Sequence, residues 1–119
     1  MSTTIAGSGP FTKSADVEWE NPDTGITRQV LGYDGELMLV RVVFEKGAIG
    51  TEHSHPHRQV SYVESGVFEI TIDGRTETLK RGDTFFVTPD LLHGAVCLEA
   101  GELIDVFTPV RETFVPENG

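Results

Sequence analysis

Three of the four histidines in this 119-residue chain fall within five positions, in the run EHSHPHRQ at residues 52–59. A neutral imidazole offers one lone pair to a metal ion and is the commonest side chain to do so. His53 and His55 are two apart. On a strand, residues at that spacing point to the same face, so both rings can converge on one ion. Gln59 shares their parity and can present an amide oxygen to the same interior. His93 lies far along the chain, at the head of a later strand, where a barrel can bring it back against the first pair. Three imidazoles and one oxygen suit a divalent first-row metal such as Ni, Zn, Fe, Mn or Co. The HxH pair alone is equally compatible with a solvent-exposed loop, and Gln59 could pack while water completes the shell. His57 follows Pro56, which interrupts the alternation, so it reads as a pocket-rim residue or as plain surface.

A second constellation lies in ELIDVFTPVRETF at residues 102–114. Asp105 and Phe107 share strand parity with Leu103, which sets a carboxyl among apolar neighbours. Desolvation there raises a carboxyl pKa and suits it to proton transfer. Arg111, just past Pro109, can reach back over the pocket and bind an anion through its planar fork. The competing reading is an Asp105–Arg111 ion pair that closes the barrel end.

The elements that must position these residues all read as strands. ELMLVRVVFE (36–45) is rich in Val and Leu, and TRQVL (27–31) precedes it. VSYVE (60–64) and VFEITI (67–72) flank Ser65-Gly66, a two-residue hairpin signal, and Asp73-Gly74 is a second one leading into RTETL (75–79). TFFVT (84–88) follows. HGAVCLE (93–99) and ELIDVFT (102–108) are separated by Ala100-Gly101. No convincing helix is present. About eight short strands with turn signals between them predict an all-β sandwich or barrel. The expected division is an N-terminal tail and edge strand (1–26), a barrel (27–111) and a C-terminal tail (112–119).

A chain of this length is one domain. Its apolar runs are too short for a membrane-spanning helix, and its start lacks the pattern of a signal peptide. The single cysteine excludes an internal disulfide framework. Together these predict a cytoplasmic protein. The formal charge of −10 argues against nucleic-acid binding, which needs a basic face. It also means that an anionic ligand must find local positive charge, from a metal or an arginine.

The wider spacing narrows the reading. Gly47, His53, His55, Gln59 and Gly66 are separated by five, one, three and six residues. This resembles the first motif of the cupin superfamily, with Gln59 in the place usually held by glutamate. Gly82 and His93 fit the second motif, whereas Thr88, Asp90 and Cys97 stand where proline, glycine and asparagine are usual. The resemblance implies a single-domain cupin, a double-stranded β-helix or jelly-roll barrel. A neutral amide in place of a carboxylate leaves a bound metal a higher effective charge, favouring Lewis-acid over redox chemistry.

LMLVRVVFEKGAIG, HSHPHRQVSYVESG and LLHGAVCLEAGELIDVFTPVRETF are similar, more narrowly, to the small KdgF-type cupins associated with pectin and alginate breakdown. That resemblance implies His53, His55, Gln59 and His93 as metal ligands, and Asp105, Phe107 and Arg111 as functional residues. It implies a small anionic sugar acid as ligand: a 4,5-unsaturated monouronate, converted to linear 5-keto-4-deoxyuronate. Cupins commonly pair through sheet edges, so a homodimer is the expected assembly. The competing functions are a metal-dependent dioxygenase and a non-catalytic sugar-acid-binding cupin.

Overall fold

A computed structural model describes residues 7–115. The ends of both expected tails, residues 1–6 and 116–119, lie outside the described residues. Eight strands follow in order: β1 (Glu20–Asp23), β2 (Ile26–Tyr33), β3 (Met38–Phe44), β4 (Ile49–His53), β5 (Arg58–Ile72), β6 (Arg75–Lys80), β7 (Thr84–Val87) and β8 (His93–Thr108). The only helical pieces among the described residues are 3₁₀ turns at Ser14–Asp16 and Glu112–Phe114. The all-β expectation is met.

Strict alternation sets the inward face. In β3, Met38, Val40, Val42 and Phe44 are buried and the residues between them are only half-buried. In β5, Gln59, Ser61 and Val63 alternate with exposed neighbours. The inward side chains meet in one core, where Phe44 and Phe68 pack edge to face with centroids 5.1 Å apart. Each such side chain contributes roughly 1.5–3 kcal/mol by leaving water.

Two of the predicted strand breaks are absent. Ser65-Gly66 and Ala100-Gly101 do not end strands; they bend β5 and β8, which run 15 and 16 residues. The pairing register between the two strands shifts at these positions, as it does at β-bulges. The two glycines face each other. A Cβ on Gly66 would lie 2.5 Å from the Glu99 carbonyl oxygen, and one on Gly101 would collide with the Ser65 carbonyl. Glycine is thus required by close backbone approach, a demand that looks like a turn signal in sequence. Asp73-Gly74 is a true hairpin turn: Ile72 pairs with Arg75, and both turn residues have positive φ, 49° and 79°.

The bends divide the work of the long strands. The first part of β5 pairs with β7 and with the last part of β8. The second part of β5 pairs with β6 and with the first part of β8, which also carries β4. Each strand therefore folds back on itself at the glycines. The start of β8 at His93 and its end near Phe107 both reach the same end of the barrel. Gln29 faces outward on β2 yet is buried. Its amide donates to the Ser14 and Val17 carbonyls (2.8 and 3.0 Å), pinning the N-terminal segment across the sheet.

Candidate metal centre and adjoining cavity

His53 closes β4, and its Cα partner across the ladder is His93, the first residue of β8. His55 is not on a strand. It sits in the loop between β4 and β5, so it joins the other two through the loop path, not through strand alternation. Pro56 belongs to that loop. Ring centroids lie 4.5 Å apart for His53–His93 and 4.8 Å for His55–His93, and one nitrogen from each of the three rings falls within 4.8 Å of the others.

The tautomers follow from the backbone. Nδ1 of His53, His55 and His93 lies 2.9, 3.1 and 3.0 Å from the carbonyls of Thr51, His57 and Leu91. A carbonyl only accepts, so each Nδ1 carries the hydrogen and each Nε2 keeps its lone pair. Nε2 of His93 is buried with no hydrogen-bond partner among the described residues. Nε2 of His55 faces Oε1 of Gln59 at 3.0 Å. Two lone-pair atoms at that distance are compatible with a shared cation. Burial, the largest cause, lowers the pKa of both His55 and His93 and keeps them in the neutral, ligating form. This donor set fits a divalent metal.

The orientation of Gln59 is fixed from behind. Its amide nitrogen donates to Ser61 Oγ at 2.9 Å, and the Ser61 hydroxyl donates to Asp105 Oδ1 at 2.6 Å. The amide oxygen is thereby turned toward the histidines. Ser61 escaped the sequence reading. Its signal was there: it is a polar residue at an inward position, between Gln59 and Val63.

Asp105 is paired with Ser61 across the ladder and flanked along β8 by Leu103 and Phe107. The residue is half-buried and lines the cavity, and Ser61 holds one of its carboxyl oxygens. Burial raises its pKa to about 6, against the opposing pull of the Ser61 hydrogen bond and the Arg111 charge. The Asp105–Arg111 ion pair is not formed among the described residues. Arg111 instead lies over the rings of Phe114 (4.1 Å) and Phe107 (5.2 Å), with Nε buried and unpartnered. His57 stands behind His55, with Nε2 3.2 Å from the Val110 carbonyl, and is not part of the three-histidine group. A cavity of about 420 Å³ is lined by His53, Gln59, His93, Asp105, Phe107 and Arg111, with apolar side chains between them. That volume is in the range of small-molecule sites.

The cupin domain family matches residues 40–107. Pectin degradation protein KdgF of Dickeya dadantii (strain 3937) is 43% identical over 102 residues, covering 84% of this chain and 93% of that protein. Among solved structures, an RmlC-like cupin from Shewanella frigidimarina is 48% identical with a TM-score of 0.89, covering 92% of this chain and 98% of the other. KdgF from Halomonas sp. is 37% identical with a TM-score of 0.83, covering 88% and 97%.

Proposed function

The chain belongs to the cupin family and, within it, to the KdgF group, and on that premise we propose that it linearises 4,5-unsaturated monouronates to 5-keto-4-deoxyuronates. The observation that carries the proposal is the continuous chain His55–Gln59–Ser61–Asp105. It joins a metal-ready histidine cluster to a carboxyl poised near neutrality, with Arg111, which has no ion-pair partner among the described residues, in the same cavity.

The reaction is a proton relocation. The cyclic substrate is a hemiacetal at C1 with a double bond between C4 and C5. Loss of the C1 hydroxyl proton forms the aldehyde as the bond from C1 to the ring oxygen breaks. The electron pair moves to that oxygen, which becomes an enolate oxygen on C5. A proton added at C4 leaves a ketone at C5. No atom is gained or lost, so one group can take the first proton and supply the second.

Asp105 has the properties for that role. With a pKa near 6 it is mostly ionised at neutral pH, yet re-protonates readily. Ser61 holds one carboxyl oxygen and leaves the other to the cavity. Arg111 binds the substrate carboxylate, and the Phe107 ring supplies an apolar wall. His53, His55, Gln59 and His93 would hold a divalent metal, which when bound would supply positive charge to oppose negative charge developing on a substrate oxygen. Arginine and metal together give an anion a favourable site in an acidic chain. The test is the ultraviolet absorbance of the conjugated uronate. The account expects it to decay many-fold faster with the protein than in buffer. Equal rates would refute it.

A further inference from the structure

Arg28 is a cationic cavity residue that the mechanism above does not use. It lies on the inward face of β2 between Ile26 and Val30, with a side chain only 17% exposed. It lines the same cavity as Asp105 and Arg111. Its guanidinium carbon is 3.8 Å from the centroid of the Phe114 ring, and that of Arg111 is 4.1 Å from the same centroid. The two cations are therefore no more than about 8 Å apart. Among the described residues only one carboxylate pairs with either arginine: Glu20 accepts from Arg28 Nε at 3.0 Å, and the outer nitrogens of Arg28 have no hydrogen-bond partner there. Arg111 has no ion-pair partner among the described residues. Two like charges held beside one ring, out of much of the solvent, repel each other. Burial first, and Arg28 second, lower the Arg111 pKa. In a chain of net charge −10, the pair concentrates positive charge in a cavity that also holds Asp23, Glu52 and Asp105, and an anion seated between the arginines would stabilise it.

We propose that Arg28 is a second substrate-binding residue, which with Arg111 grips the carboxylate of a sugar acid, both arginines being braced on Phe114. The inference rests on the reading of the cavity as a uronate site and adds its selectivity. A carboxylate presents two oxygens, each able to accept from a guanidinium, so one carboxylate entering the shared cavity can accept from both arginines. The pair therefore selects anionic sugars over neutral sugars of the same shape.

Calorimetric titration of the intact protein with D-galacturonate, a saturated uronate that cannot ketonise, and with neutral D-galactose tests this directly. Wild type is expected to bind galacturonate at least about tenfold more tightly than galactose, and Arg28→Gln to lose about that factor for galacturonate only. Glu20→Gln, which removes the competing carboxylate from outside the cavity, is expected to bind as well as wild type or better. Arg28→Lys, which keeps charge but loses the fork, is expected to lose part of the affinity. Melting curves confirm folding. Unchanged galacturonate binding in Arg28→Gln, or no preference for galacturonate in wild type, overturns the proposal. So does equal loss in Glu20→Gln, which would make Arg28 a strut holding β1. If Arg28→Gln does not fold, wild-type affinity in Arg28→Lys overturns it instead. Turnover of the unsaturated monouronate is scored separately. Anion selectivity without turnover would leave the Arg28 assignment standing and remove the linearisation reading.

Discussion

The inward faces of β5 and β8 carry two different chemistries on one alternation. Near the bends the inward residues are Val63, Phe68, Cys97 and Leu103. Toward the open end Gln59, Ser61, His93 and Asp105 join the apolar Ile70 and Phe107. Val63 and Ser61 are equally inaccessible, at 0% and 1% exposure. Burial therefore does not distinguish the core from the site; what the buried atoms need does. The apolar half stabilises by leaving water and packing. The polar half survives burial because its members satisfy one another or direct lone pairs at a common point. The same two strands thus supply the stability at one end and the reactive groups at the other.

Substitutions that separate these roles test the division. The largest effect is expected from Asp105→Asn, which should lower turnover of the unsaturated monouronate by about a thousandfold while metal content stays that of wild type. Loss of metal in that variant would instead place Asp105 in the scaffold of the centre. Phe68→Ala, in the apolar half, should reverse the pattern. It is expected to cost about 3–5 kcal/mol in denaturant unfolding, with turnover per folded molecule retained. A drop in turnover per folded molecule would show that the two halves are coupled.

The pH dependence sharpens the boundary between them. The Asp105 pKa is raised from 3.8 to about 6 in the folded protein, so its neutral form favours folding. That contribution is full below the unfolded value and is lost as pH rises through the folded one. In metal-stripped protein, wild type should therefore lose roughly 2 kcal/mol relative to Asp105→Asn between about pH 4 and pH 7.5, as read by urea melts. Parallel pH profiles for the two proteins would mean that the carboxyl is not desolvated. The smallest effect is expected from Ser61→Ala, which frees Gln59 to turn and should weaken metal binding about tenfold in competition with a chelator. Unchanged affinity would show that Gln59 is held without Ser61, or does not ligate.

Much of this was legible before the fold. The Val- and Leu-rich run at 36–45 identifies β3, and the Asp73-Gly74 signal identifies its turn, because both are local. The bends at Gly66 and Gly101 were misread as strand ends. Gly66 does take positive φ (80°), as the hairpin signal implies, but it does so inside a strand, and the close approach to Gly101 shows only once the partner strand is in place. His55 was grouped with His53 through strand parity, whereas the loop around Pro56 brings it in. Arg28 and Phe114 drew no attention. Each is unremarkable in sequence, and their proximity depends on β2 lying beside the segment that follows β8. Ser61 was within reach, since a polar residue at an inward position between Gln59 and Val63 already breaks the apolar rule. The same criterion applied along β8 selects Asp105.

The central claim is that this cavity moves a proton within an unsaturated sugar acid. Proton NMR of a 4,5-unsaturated monouronate in heavy water, with metal content matched between wild type and Asp105→Asn, tests it most directly. The account predicts that wild type replaces the vinylic C4 signal with that of a linear 5-keto product carrying one deuterium newly delivered to C4, and that Asp105→Asn leaves the vinylic signal at its buffer rate. Persistence of the vinylic signal with wild type, or products that require consumption of oxygen, would contradict it.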